Sequence, residues 1–224
     1  MSLTQYITIL IVVALLGLVV RGVVRYLKNQ RRKKLYATPL KSQWIQLLTK
    51  NVPLASKMPQ ELQRLYHGHI NYFLATKVFV GRGGFEVNDD VRLTIAGNAC
   101  LLVLTRNEPI FPGFKTIIVY PQTYAAPVLE HNAGVVVSKM QSRAGESWYR
   151  GPIVLAWNDI QRGSHNADDG HNVVIHEFAH KLDEENQLMD GLPILKDASH
   201  YNEWAKVLTR EFEAFLERVK RNKN

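Results

Sequence analysis

The sequence predicts an α+β fold preceded by one transmembrane helix. Three observations carry this. An uncharged apolar run stands near the N-terminus. Segments of helical period then give way to short β-branched runs bounded by Gly and Pro. Helical segments return after them, and this segregation favours α+β over a doubly wound sheet.

The N-terminal run comes first. Ile7 to Val20 holds one polar residue, Thr8, and no charge. From Thr4 to Val24 the stretch is about 20 residues, the length that crosses a hydrocarbon core. Seven basic residues follow between Arg21 and Lys34, and no acidic residue occurs before Glu61. A secretory signal would carry its positive charge ahead of the apolar run. Charge behind it predicts a single-pass, N-out and C-in span, with the body on the cytoplasmic side. The same cluster attracts anionic membrane lipids. The net charge of +8 is therefore local, since the rest of the chain holds 21 basic against 20 acidic residues. A near-neutral body offers no broad phosphate-binding surface, so no nucleic-acid partner is expected. The single cysteine, Cys100, excludes an intramolecular disulfide and any CxxC zinc knuckle; it lies in an apolar run and reads as a buried, inert thiol.

Residues 1–34 thus read as the span and its basic flank, 35–58 as a connector, and 59–224 as the folded domain. Pro59 opens a helix running to about Ala75, with Leu62, Leu65, Ile70 and Phe73 inward. His67 and His69 within it read as packing or surface residues. Lys77–Val80 reads as a strand closed by a Gly-rich turn. Asp89 or Asp90 is expected to cap a helix over Val91–Leu104. Thr116–Tyr120, Gly134–Met140 and Pro152–Trp157 read as strands, the last two as a hairpin across Arg143–Arg150. Ile153–Trp157 is a candidate free edge for aligning an extended peptide. Asn158–Asp169 reads as a polar loop, in which Asp168 and Asp169 favour the next helix N-terminus and His165 and His171 are solvated. A helix opening near Gly170–Asn172 runs to about Glu185, and a last helix covers Ser199–Lys220.

The chemistry concentrates in His176-Glu177-Phe178-Ala179-His180. On a helix, positions i and i+4 share a face, so both imidazoles reach one metal ion. Glu177, one position along, lies near enough to take a proton from a zinc-activated water. With eight His and twelve Glu in the chain, the bare pattern has a chance expectation of ~0.015. Val173, Val174, Ile175, Phe178 and Leu182 make its helix mostly apolar, as expected beneath a cleft.

Asp169 to Asp183, read Asp-Gly-His-Asn-Val-Val-Ile-His-Glu-Phe-Ala-His-Lys-Leu-Asp, resembles the signature of the Mlc titration factor family of zinc-dependent peptidases. Val91–Ala96, Pro112–Thr116 and Gly151–Trp157 are similar to further stretches of that family, and the resemblance covers roughly residues 60–220. It implies a zincin-like (gluzincin) domain with a mixed sheet, Zn2+ held by His176 and His180, and Glu177 as catalytic acid/base. It implies hydrolysis of peptide or protein substrates, in aminopeptidase form. Because the family's namesake binds a glucose-responsive repressor, a transcriptional repressor is an implied partner. The family's third zinc ligand is a Glu in an Asn-Pro-x-Glu-Phe-Phe-like motif, and none occurs before Asn224. The expectation is a C-terminally truncated chain, with Glu203 the in-chain runner-up for that ligand. Asp183, three residues after His180, is a candidate to orient a ligand imidazole. The rival expectation is a non-catalytic, membrane-tethered module that sequesters a regulator.

Overall fold

Ser2 opens the first helix, α1 (Leu3–Ala37), by a reciprocal capping box with Gln5. The computed structural model describes residues 2–106, 109–132, 135–143, 145–147, 151–166, 170–187, 189–192, 194–195 and 197–221. None of the α1 residues is buried. Among the described residues, this is the one helix long and apolar enough to cross a membrane. It ends where Thr38 returns its N–H and hydroxyl to the Lys34 carbonyl, just before Pro39.

Two short helices follow in the segment read as a connector, α2 (Ser42–Asn51) and α3 (Pro53–Ser56), which begins on a proline that needs no N–H partner. Leu40, Leu48, Val52 and Ala55 are buried. Asn51 donates to Asp90 and Thr94, tying α2 to the helix that carries them. Next, α4 (Gln60–Thr76) buries Tyr66, Ile70, Phe73 and Leu74. The inner stripe is thus rotated from the expected one: Tyr66 takes the inward place and Leu65 is 42% exposed. The Tyr66 hydroxyl explains the choice, because it donates to the buried Gly97 carbonyl.

β1 (Val78–Gly81) leads through the glycine turn to α5 (Asp89–Leu101). The cap of α5 is Asn88, whose side chain accepts from the Val91 N–H. Asp89 and Asp90, expected as caps, instead occupy the first turn, where their charge favours the helix dipole. Every residue of α5 from Leu93 to Cys100 is buried. Burial pushes the Cys100 thiol far above its ordinary range, which keeps it protonated and inert.

The strands are β2 (Thr116–Tyr120), β3 (Tyr124–Asn132), β4 (Val135–Arg143), β5 (Gly145–Ser147) and β6 (Ile153–Ala156). With β1 they make six strands among the described residues, and four of the six form a mixed sheet in the order β1-β2-β6-β5, parallel except for β5. The remaining two, β3 and β4, pair with each other over nine residues. The expected hairpin between β4 and β6 is therefore corrected: β4 finds its full-length partner in β3, and β6 pairs with β2 and β5. It follows that β6 is not a free edge. It is interior, all four of its residues are buried, and β5 forms the edge beside it.

The stretch expected as a polar loop is mostly helical, α6 (Trp157–His165), with Ile160, Gly163 and Ser164 turned inward. Asp168 and Asp169 lie outside the described residues, as do residues 148–150 of the expected hairpin turn. The helix α7 (Val173–Asp183) follows. Contacts divide the chain into two units, residues 1–181 and 182–224. In the second, a 3-10 turn (Glu184–Asn186) leads to a tight turn in which Asn186 donates to Asp190 and to the Leu192 carbonyl. That unit ends in α8 (His200–Arg221), which exposes Val207, Leu208, Phe212 and Phe215.

Candidate metal centre

The rotation of α7 is fixed by its apolar face. Val174 and Phe178 are fully buried. The Phe178 ring meets three others, with centroids 5.0 Å from Phe111, 5.5 Å from Phe73 and 5.6 Å from Phe114. With that face held inward, His176 and His180 emerge on the exposed side. Their Nε2 atoms stand 3.3 Å apart and their rings are near-perpendicular at 89°. Two corners of a tetrahedron with metal–nitrogen bonds of about 2.0–2.1 Å are separated by about 3.3–3.4 Å. The imidazole pair therefore fits two corners of a zinc site. Among the described residues, no third His, Cys, Asp or Glu joins them in a ligand-sized group.

Glu177 is only 5% exposed. It lies against β5: a Cβ placed on Gly145 would come 2.7 Å from Glu177 Oε1 and 2.6 Å from Val173 Cγ2. Only a glycine lets the strand approach the carboxylate this closely. A groove at His176 is lined also by Asp159, Arg162, His171, Asn172 and Val173.

The start of α7 hangs on a partly buried amide relay. Asn172 Oδ1 accepts from the Ile175 N–H, and its Nδ2 donates to Asn98 Oδ1 and to the Gly163 carbonyl. Asn98 in turn donates to Ser164 and to the Thr94 carbonyl. The relay links α5, α6 and α7. The sequence reading missed Asn98, although an amide inside an otherwise apolar helix requires buried partners and so was a usable signal.

A second support was also missed. Lys77 is buried, and its Nζ donates to the carbonyls of Phe111 and Phe114. Phe111 takes a left-handed backbone conformation with φ of 49°. The lysine thus pins the turn whose two rings seat Phe178. Burial pulls the Lys77 ammonium down to about 8 from 10.5. Below the folded value both states carry the proton and the burial cost is complete. Between about 8 and 10.5 the unfolded chain binds more protons, so this group's contribution to stability rises with pH across that window. Urea midpoints at pH 7.5 and 10 should therefore shift upward in the wild type relative to Lys77→Met. Parallel shifts in both proteins would assign the window to other groups.

Asp183 Oδ1 accepts from the Gly191 N–H at 2.8 Å, within the second unit. Glu203 is exposed in the first turn of α8. His165 and His171 are exposed, and His165 Nδ1 lies 2.8 Å from the Gln161 carbonyl. His69 is buried in packing between helices.

Over 220 residues, 96% of this chain and 79% of its relative, the chain is 35% identical to an uncharacterized protein of Synechocystis sp.. It is 34% identical over 146 residues to Mlc titration factor A of Cronobacter sakazakii, covering 64% of this chain and 54% of that protein. Against Mlc titration factor A of Escherichia coli O7:K1 the identity is 35% over 147 residues, 65% of this chain and 55% of that protein. The aligned segments thus span about half the length of the titration factors. Residues 27–224 match the family described as glucose-regulated metallo-peptidase M90, a match that takes in both histidines, Glu177 and the seat of Phe178. The chain belongs to the glucose-regulated metallo-peptidase M90 family.

Proposed function

We propose that this chain is a membrane-anchored zinc peptidase of gluzincin architecture, with His176 and His180 as ligands and Glu177 as proton carrier. The observation that supports it most directly is the 3.3 Å spacing of the two Nε2 atoms on the exposed face of α7. When bound, zinc supplies Lewis acidity toward the scissile carbonyl and lowers the pKa of a neighbouring water. Glu177 accepts the proton of the attacking water and returns it to the departing amine. The edge strand β5 aligns an extended peptide by main-chain hydrogen bonds beside that carboxylate. The preferred substrates are peptides with a free N-terminus. Asp183 and Glu203 are assigned no part in the proton transfer.

The α1 segment from Thr4 to Val24 is the anchor, with its basic flank and the body in the cytoplasm. Carbonate washing of membranes should leave the full chain in the pellet, whereas release by salt alone would reduce the attachment to electrostatics.

The metal reading is tested by zinc titration of the detergent-solubilised chain against a competing chelator. His180→Ala should weaken zinc binding by at least about tenfold, since one of few protein ligands is lost. Unchanged affinity would place the metal elsewhere. A second reading is a regulator-binding module without catalysis. It draws on the similarity to proteins named Mlc titration factor A and on the lack of a third ligand group among the described residues. Stoichiometric zinc with no hydrolysis of any peptide in a mixed library would favour it.

A further inference from the structure

We propose that the groove between α1 and α4 binds the headgroup of an anionic phospholipid, an inference that rests on α1 as the membrane anchor. Its lining includes Arg25, Lys28, Asn29 and Arg32 from α1, Tyr72 from α4, and Pro109. Among the described residues, three cations and no acidic side chain line it. Arg32 already donates to Asn29 at 2.9 Å, so one guanidinium is oriented along the groove. Arg25 directly follows Val24, the last residue of the apolar run. From Arg25 to Arg32 the helix rises about 10 Å, against a polar layer of about 5–7 Å on each side of the hydrocarbon core. Arg25 and Lys28 therefore stand within the phosphate layer, with Arg32 at its outer limit.

What makes this a site, and not merely a charged flank, is the way the body is clamped to α1. Spacings of seven and four put Arg25, Arg32 and Tyr36 on one face of the helix. Tyr36 locks that face onto α4. Its hydroxyl lies 2.8 Å from His69 Nδ1, and His69 Nε2 faces the Leu104 carbonyl at 3.2 Å. A carbonyl only accepts, so Nε2 carries the hydrogen and Nδ1 accepts from the tyrosine. The Tyr36 and Tyr72 rings are 5.8 Å apart. Gly68 permits the approach, since a Cβ there would come 2.8 Å from Tyr36 Cδ1 and 3.2 Å from its Cα. Asn71 adds donations to the Leu35 and Thr38 carbonyls. The cationic face is thus held toward the body, with Tyr72 and Pro109 as a wall. Arg31, Lys33 and Lys34 are not among the lining residues. Basic residues beside an anionic leaflet gain affinity from surface charge alone. The groove adds a fixed place for one phosphate, with Arg25 and Arg32 offering forked donors and Lys28 a point charge.

The test uses the full chain reconstituted in phosphatidylcholine vesicles containing one fifth phosphatidylglycerol, extracted into mild detergent, with lipid bound per chain read by native mass spectrometry. Wild type should retain about one phosphatidylglycerol per chain. The triple variant Arg25→Gln, Lys28→Gln, Arg32→Gln should lose that retention by at least about tenfold. The variant Arg31→Gln, Lys33→Gln, Lys34→Gln removes equal charge and should retain it. Tyr72→Ala, which removes no charge, should weaken retention while leaving the fold intact by circular dichroism. Equal loss in both triple variants would mean delocalised attraction and overturn the site. Displacement of the lipid by millimolar inorganic phosphate, with no preference for phosphatidylglycerol over phosphatidylcholine, would also overturn it and assign the groove to a free anion. Carbonate extraction of the same variants keeps the anchor separate: all should stay in the membrane, and release of the wild type would refute the anchor itself and the site with it.

Discussion

Glu177→Gln should retain zinc and lose peptidase activity by about 10²–10⁴-fold in kcat/KM, the range associated with a positioned general base. The substitution is nearly isosteric, so it keeps the close packing against Gly145. What it removes is the ability to accept a proton, because a side-chain amide is not basic near neutral pH. Both imidazoles remain, so the zinc titration should match the wild type. Turnover within threefold of wild type would show that the base lies elsewhere. Gly145→Ala approaches the same carboxylate from the strand side. It should lower kcat with little change in zinc affinity, since the added methyl displaces Glu177 or β5 and leaves both histidines alone. Unchanged kcat would mean that the strand yields without moving the carboxylate.

Phe178→Ala should cost about 3–5 kcal/mol of stability, as expected when a buried aromatic ring is truncated and a cavity remains. The ring is fully buried among Phe73, Phe111 and Phe114. Loss of this seat frees the rotation of α7, so zinc affinity should fall even though neither histidine is altered. Urea unfolding read by tryptophan fluorescence, beside zinc titration of the same variant, measures both effects. Leu65→Ala is the control, because Leu65 is 42% exposed and should cost under about 1 kcal/mol. A cost for Phe178→Ala no larger than that of the control would mean that the helix is held from elsewhere.

The parts legible in the sequence were those with a strong local pattern. Thr116–Tyr120 alternates burial along its length, and both its limits match β2. The histidine spacing alone foretold that two imidazoles would share a face. The less legible parts depend on partners far along the chain. Tyr124–Asn132 contains Pro127, Glu130 and His131, which break the pattern of a strand, yet it pairs with β4 along its whole length. Residues 157–165 offer one large aliphatic side chain, Ile160, and a helix forms there because Gly163 and Ser164 can pack closely inward. Gly145 carries no sequence signal for its closeness to Glu177, because what matters there is a missing Cβ. Lys77 ranks as polar in any hydropathy pattern. Its burial follows from two main-chain carbonyls presented by a turn 34 and 37 residues away.

The unbroken course of α1 bears on where this protein meets what it acts upon. From Val24 to Ala37 the helix is continuous, a rise of about 20 Å, and its far end is clamped to α4 by Tyr36 and Gly68. With Thr4–Val24 in the bilayer, the first unit is carried on a rod and not on a string. A string of similar reach would let the histidine pair wander through a hemisphere and turn in every direction. A rod holds the pair at one height with one heading. For the proposed membrane-anchored peptidase, encounter then becomes a search within a thin layer parallel to the lipid surface, favouring peptides that enter or leave the bilayer over those dissolved in bulk. Three or four helix-breaking residues inserted after Lys34 would restore the wandering and preserve the contacts that Tyr36 and the residues beyond it make within the body, while parting the Arg25–Arg32 face from Tyr72 and Pro109.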